Sequence, residues 1–326
     1  MKISVVVPVY NEEGNLPELL RRLTAVMDLA GHPYELVFVD DGSRDRSLEL
    51  LKDAARQRPD RIRVLELARN FGQHQAILAA FEHVTGEVIV TLDADLQNPP
   101  EEIPKLLAKV AQGHDVVGGI RRDRQDSWPR RLASALVNRV TVAITRLRLT
   151  DFGCMLRAYS REVVDEINRC DESSTFIPAL AQSFARNPAE IEVAHAPRTH
   201  GASAYSLYRL IRLNFDLMTG FSLVPLQVFG LMGTLVAFGG IGFGLFLFAR
   251  RLIVGAEVEG VFTLFAILFT LLGFAMAGLG IVGEYVGRIY QQVRGRPTFR
   301  VRRIYGLGEE SSPASRLPPP ASRLQP

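Results

Sequence analysis

Two short acidic stretches, each ending an apolar run, hold the residues of this sequence best suited to chemistry. In Val88–Pro100, the β-branched run Val88-Ile89-Val90-Thr91-Leu92 is too short for a helix, reads as a buried strand and ends at Asp93 and Asp95, with Gln97 pointing the same way. Ligands of open α/β sheets sit beyond the carboxyl ends of the strands. Asp-x-Asp at such an end therefore puts two hard oxygen ligands where phosphates and Mg²⁺ or Mn²⁺ can meet. Leu36-Val37-Phe38-Val39 is a second such strand, ending in Asp40 and Asp41 before Gly42-Ser43. Asp40 precedes the turn and is placed to accept hydrogen bonds from a base or ribose, whereas Asp45 or Ser43 serves to cap the helix Leu48–Ala55. Taken singly, Asp93 and Asp95 also fit ordinary turn residues. Matching chemistry at two strand ends argues for a shared ligand.

The elements that position these groups repeat a strand-then-helix pattern. Ile3–Val7 is a strand stopped by Pro8, which cannot donate to a central ladder, and Pro8-Val9-Tyr10-Asn11-Glu12 lies at its carboxyl end. Leu16, Leu19, Leu20 and Leu23 follow at helical spacing. Ile62–Leu67 is a third strand, and Arg69–Gln73 leads into a helix over Ala76–Val84 closed by Gly86. His74 reads as a surface or capping histidine, because nothing has metal-ligand spacing with it. Pro99-Pro100-Glu101-Glu102 opens another helix, and Asp115–Gly119 is a further strand and turn. With four such units and no G-x-G-x-x-G, the pattern predicts a nucleotide held by carboxylates.

The chain has 326 residues, of which 47% are hydrophobic, and the apolar excess is concentrated between Pro225 and Gly283. The formal charge is only +3, with basic residues clustered over Arg121–Arg148 and Arg288–Arg303. That distribution suits phosphates and anionic headgroups and argues against nucleic acid as a partner. Cys154 and Cys170 form neither a C-x-x-C pair nor a metal array, so they read as reduced cytosolic thiols. Met1–Tyr10 lacks the charge and length pattern of a signal peptide, so the catalytic part is expected to stay in the cytoplasm.

Leu226–Ala249 and Val261–Gly283 are uncharged runs of the ~20 residues needed to cross a bilayer. Gly240/Gly244 and Gly273/Ala277 offer small faces for close helix packing, within the chain or between subunits. Arginines flank the pair on both sides, which puts both termini in the cytoplasm. In Trp128–Leu147, Leu132, Leu136, Val140 and Ile144 recur at helical spacing among arginines, the pattern of a helix in the membrane interface or of one packed on the sheet. Arg130 and Ser134 share a face there and could grip one phosphate. Leu207–Thr219 is a second amphipathic stretch, and the tail after Gly306 has the Ser/Pro-rich composition of a disordered segment.

The segments VPVYNEEGNL, VDDGS, TLDADLQNPPEEIPKL and TDFGCMLRAYS resemble the inverting glycosyltransferases of family 2, and more narrowly the polyprenyl-phosphate glycosyltransferases, over roughly residues 1–300. The resemblance implies an α/β, Rossmann-like GT-A catalytic domain over residues 1–205 that includes an interfacial helix at 128–148. A second interfacial helix at 206–224, two transmembrane helices within 225–285, a basic cytoplasmic segment at 286–305 and a disordered tail at 306–326 complete the expected division. The implied setting is the bacterial inner membrane. The implied activity is transfer of an aminosugar-type residue from a UDP-sugar donor to undecaprenyl phosphate, in lipid A modification and polymyxin resistance. By the same resemblance Pro8, Tyr10, Glu12 and Asp40 hold the uridine, and Asp93, Asp95 and Gln97 hold the donor diphosphate through Mg²⁺ or Mn²⁺. Arg121, Arg130 and Ser134 take the acceptor phosphate, and Asp151 is the catalytic candidate. The family often forms tetramers, so a homo-oligomer is expected.

Three alternatives stay open: a polyprenyl-phosphate glucose or mannose synthase, a processive polysaccharide synthase, and a non-catalytic membrane scaffold with a retained nucleotide site. Against the second, the sole tryptophan, Trp128, is not in a Q-x-x-R-W motif. Arg198–Tyr205 resembles the family loop R-x-x-G-x-S-K-Y near the diphosphate, with Ala204 in place of the usual lysine. Arg198 then carries more of the phosphate contact. Restoring the cation by Ala204→Lys is expected to lower the donor KM by up to about fivefold, the worth of one solvent-screened ion pair; an unchanged KM would show that the position does not matter.

Overall fold

The computed structural model describes residues 1–121, 154–170, 176–196, 224–254, 261–293 and 298–306. Arg130, Ser134, Asp151, Arg198, Ala204, both expected interfacial helices and the tail lie outside these residues. The described residues divide into two compact units, one holding 1–121, 154–170, 176–196 and 298–306 and the other 224–254 and 261–293.

In the first unit the four expected strand-helix pairs are present. They are β1 (Ile3–Val9) with α1 (Leu16–Leu29), β2 (Tyr34–Asp40) with α2 (Ser47–Gln57), β3 (Ile62–Leu67) with α3 (Gln73–Phe81), and β4 (Val88–Thr91) with α4 (Ile103–Ala111). Then follow β5 (Val116–Arg121), β6 (Arg157–Ser160), α5 (Arg161–Arg169), α6 (Ile177–Phe184) and β7 (Pro188–Val193). The last strand, β8 (Val301–Tyr305), arrives after the second unit. Among the described residues the sheet has eight strands in the order β7-β5-β6-β4-β1-β2-β3-β8. Strands β4, β1, β2 and β3 run parallel, β6 is antiparallel to both its neighbours, and β8 is antiparallel to β3.

Strands β1 and β2 are β-branched and aromatic runs buried on both faces, as strands covered by crossover helices must be. Helix α1 lays Leu16, Leu19, Leu23 and Met27 on the core, all fully buried, at the three- and four-residue steps of one helical face. Each such side chain contributes about 1.5–3 kcal/mol of apolar burial.

Strand β1 does not stop at Pro8. Pro8 stays in register with Val39, and the strand continues to Val9. The Val6 carbonyl accepts from Leu92 N on the β4 side, and the Val9 carbonyl from Asp41 N on the β2 side. By strand alternation the Pro8 nitrogen faces β4, which has already ended at Thr91, so no ladder bond is lost. The helix after β3 also differs from expectation, running Gln73–Phe81, and Gly86 does not close it. Gly86 lies against β1: a Cβ there would come within 2.6 Å of Ser4 N, and its own N–H donates to Ser4 Oγ at 2.8 Å. Asp45 does the work at the start of α2, accepting from Ser47 N at 3.0 Å, whereas the Ser43 hydroxyl accepts from Asn11 N.

Residues 301–305, expected in a separate basic segment, form the sheet edge on β3. Glu66 of β3 fastens them: Tyr305 donates its hydroxyl at 2.7 Å, Arg302 pairs at 3.1 Å, and Lys52 pairs at 3.8 Å with its Nζ 4.7 Å from the centre of the Tyr305 ring.

The second unit contains α7 (Val224–Val254) and α8 (Val261–Val293), which take up the two apolar runs. The window Thr270–Gly287 of α8, of mean hydropathy 1.4, is long and apolar enough to cross a membrane, and α7 contributes the shorter apolar stretch Leu226–Gly240. Large apolar side chains face outward, with Leu231, Leu235, Phe238, Leu264 and Leu279 all more than 60% exposed. Within the chain, a Cβ on Gly240 or Gly273 would touch nothing within 4 Å, whereas Gly278 receives the ring of Phe229, which also stacks on Phe274 at 5.3 Å.

Removing the Glu66 carboxylate by Glu66→Ala is expected to raise amide hydrogen exchange across Val301–Tyr305 about tenfold or more, the loss expected for charged hydrogen bonds. Unchanged exchange would mean that strand pairing alone holds β8.

Candidate active site

Beyond Thr91 the chain leaves the sheet with alternating burial: Leu92, Ala94, Leu96 and Asn98 are buried, whereas Asp93, Asp95 and Gln97 remain half-exposed. The alternation keeps the three polar residues on the open side of a segment pinned by apolar ones. Leu96 has φ of +60°, a conformation costing a branched side chain about 1–3 kcal/mol, of the kind that clusters at functional sites. Asp95 Oδ1 accepts from Gln97 N at 3.1 Å, closing the turn. Asp93 is held from two sides, by Gln73 Nε2 on Oδ1 at 2.5 Å and by Asn98 Nδ2 on Oδ2 at 3.4 Å.

Strand β1 separates this end from that of β2, and the loops after β1 and β2 are zipped together. Asn11 N donates to Ser43 Oγ, Arg44 N to Asn11 Oδ1 at 2.8 Å, Glu12 N to Ser47 Oγ at 2.9 Å and Glu13 N to Asp45 Oδ2 at 3.1 Å. Gly42, with φ of +69°, packs at the β3 end, where a Cβ would meet Arg69 C at 2.6 Å. Of the residues expected to hold a uridine, Tyr10 is 42% exposed, while the Glu12 carboxylate accepts from Asn15 Nδ2 at 2.6 Å at the start of α1.

Asp40 and Asp41 are both buried, with different surroundings. Asp41 takes Phe71 N on one oxygen at 2.7 Å and Gly72 N on the other at 2.8 Å. Asp40 Oδ2 receives Ser43 N at 3.3 Å, and among the described residues its Oδ1 has no hydrogen-bond partner. Burial pushes the Asp40 carboxyl above its ordinary range; the Ser43 and Gly42 contacts oppose this, and Glu66, its register partner on β3, adds to it. An orphaned acceptor costs about 1–3 kcal/mol, which a ligand N–H or O–H reaching it would offset.

The remaining expected residues relate to this edge by register. Through Arg157 of β6, Gly118 of β5 stands level with Thr91 of β4, so Arg121 ends its strand on the same edge as Asp93, two strands away. Cys154, three residues after Asp151, lies with Sγ 3.8 Å from Asn98 Oδ1, and Ala196, two before Arg198, donates its N–H to the Gln97 carbonyl at 2.9 Å. His74 is not a surface residue: its ring packs edge-on against Phe176 at 5.1 Å, and burial pulls its pKa down to about 4, leaving it neutral.

Two carboxylates and an amide oxygen suit a hard divalent cation, with remaining positions left for phosphate oxygens and water. Among the described residues no three His, Cys, Asp or Glu side chains gather as a metal site. Sequence reading missed Gln73, Asn98 and the separate duty of Asp41. The available signal was polar Gln73 placed directly after Gly72, where a helix opens toward the strand ends.

The model of the family "Glycosyl transferase family 2" matches residues 4–168. The undecaprenyl-phosphate 4-deoxy-4-formamido-L-arabinose transferase of Aeromonas hydrophila is 51% identical over 304 residues, 93% of this chain and 93% of that protein. The protein of the same name from Shewanella sediminis is 52% identical over 314 residues, 96% of this chain and 95% of its own length. The crystal structure of glucosyl-3-phosphoglycerate synthase from Mycobacterium tuberculosis in complex with Mn²⁺ and UDP-glucose aligns over 67% of this chain and 77% of that one, at a TM-score of 0.48 and 21% identity. With the family match running from β1 into α5 and half the residues shared with full-length relatives, the chain belongs to glycosyl transferase family 2.

Proposed function

We propose that this glycosyltransferase moves 4-deoxy-4-formamido-L-arabinose from a UDP donor to undecaprenyl phosphate, inverting the anomeric centre and releasing UDP. The observation that carries the reading is the half-exposed Asp93-Asp95-Gln97 row on the edge that also holds buried Asp40. The sugar rests on the names of the relatives, which match this chain over 93–96% of its length.

Asp40, Tyr10, Pro8 and Glu12 hold the uridine, Asp40 through the oxygen left without a donor. Asp93, Asp95 and Gln97 hold Mg²⁺ or Mn²⁺, which when bound offsets the charge of the diphosphate and of departing UDP. Arg198 contributes to holding the donor diphosphate, and Arg121, with Arg130 and Ser134, takes the acceptor phosphate. A phosphate monoester has a second pKa of about 6, so the acceptor is mostly deprotonated at neutral pH and needs no strong base. The main task is to bring two anions together in line, through positioning and fixed charge. Asp151 orients the acceptor or a neighbouring arginine. The apolar helices α7 and α8 both cross the inner membrane, with the catalytic unit and both termini on the cytoplasmic side and a homo-oligomer as the assembled form. The product serves lipid A modification and polymyxin resistance.

Detergent-purified protein given undecaprenyl phosphate and a panel of UDP-sugars is expected to release UDP with the 4-formamido-arabinose donor and to stop on addition of EDTA. Release of UDP with UDP-glucose, or of GDP with GDP-mannose, would instead reassign the sugar, and silence with every donor would leave a scaffold. Asp151→Asn is expected to lower turnover about 100-fold at pH 6 and pH 8.5 alike, as misplacement of a reactant does. Recovery at pH 8.5 would mark Asp151 as a base.

A further inference from the structure

The proposed metal ligand Asp93, two residues beyond β4, and the acidic end of β2 are joined by a path through the start of α3. Asp41 is only 2% exposed, and both its oxygens are committed to consecutive backbone N–H groups, Phe71 at 2.7 Å and Gly72 at 2.8 Å. Those two residues lead directly into Gln73, the first residue of α3, whose Nε2 donates to Asp93 Oδ1. Gln73 is itself exposed, so its side chain is not held in place by burial. Its position follows from the backbone that Asp41 fixes. Asn98 takes the other Asp93 oxygen only at 3.4 Å, which makes Gln73 the closer of the two amide contacts.

We propose that Gln73 is a positioning residue for the metal-binding carboxylate of Asp93, and that Asp41 acts through it by anchoring the Phe71–Gly72 backbone. The proposal rests on the reading of Asp93 as a ligand of the donor's divalent cation. A carboxylate on a short strand end can rotate about its side-chain bonds. A donor fixed on one oxygen selects one side-chain rotamer, and that ordering is then set before the cation arrives. The second aspartate of the VDDGS stretch thus has a duty different from the first. Asp40 keeps an oxygen open, whereas Asp41 spends both on the loop that aims Gln73.

The test uses the full-length protein in lipid nanodiscs, titrated with Mn²⁺ in the presence of UDP, free Mn²⁺ being read by electron paramagnetic resonance. Hydrogen-bond partners of metal ligands are typically worth about 10–100-fold in metal affinity. Gln73→Ala, and Gln73→Asn with the same amide on a shorter stem, are each expected to weaken Mn²⁺ binding about tenfold. Their melting temperatures stay at the wild-type value, and saturating Mn²⁺ restores kcat. Asp41→Asn is expected to produce a similar loss, and the Asp41→Asn/Gln73→Ala double variant to bind no more weakly than the worse single one, since both act along one path. Wild-type Mn²⁺ affinity in Gln73→Ala, with binding lost in Asp93→Asn, would overturn the proposal and leave the metal reading standing. Full Mn²⁺ affinity in Asp93→Asn would overturn the metal reading itself, and additive losses in the double variant would remove Asp41 from the path.

Discussion

Four carboxylates at one edge of a buried sheet repel one another, and the local structure is a solution to that repulsion. Asp41 takes two backbone N–H groups, Asp95 the N–H of its own turn, Asp93 two side-chain amides, and Asp40 the Ser43 N–H on one oxygen, the other having no hydrogen-bond partner among the described residues. Each of these contacts is an N–H dipole, which lowers the cost of gathering the acids at one edge.

The parallel core is what brings the acids together. With β1 between β2 and β4, and all three pointing the same way, every strand end opens on one edge, and the loops after β1 and β2 tie to each other by reciprocal bonds. Pro8 fits within this arrangement because β4 is the shorter strand: a nitrogen that cannot donate faces a place where nothing asks it to. The same shortness frees Leu92 onward to alternate between core and opening.

Much of this was readable in the amino-acid order. Apolar runs followed by acids locate β1 to β4 and their ends, and the polar-apolar alternation of LDADLQN already separates Asp93, Asp95 and Gln97 from the residues between them. Features made by distant approach were not readable. Gly86 looks like a helix stop until Ser4 is seen against it, His74 looks like a surface residue until Phe176 covers it, and Gly273 looks like a packing face although Phe229 chooses Gly278. Strand β6 is four residues long with a fully buried arginine at its start, which no hydrophobic pattern reveals. The bond between Gln73 and Asp93 joins two strand-helix units and has no periodic signature.

Strand β8 changes what kind of object the helical pair is in the chain. The polypeptide leaves the sheet-bearing unit, forms α7 and α8, and returns to put its last described strand beside β3, bonded to a glutamate 236 positions earlier. The apolar pair is thus an insertion flanked on both sides by one folding unit, and not an appended tail. A fragment ended before Val224 for use without detergent would lose more than its anchor. It would leave the β3 edge uncovered and Glu66 buried without Arg302 or Tyr305, an open strand prone to pairing with other molecules. A water-soluble version has to bridge the gap with a linker and retain residues 298–306.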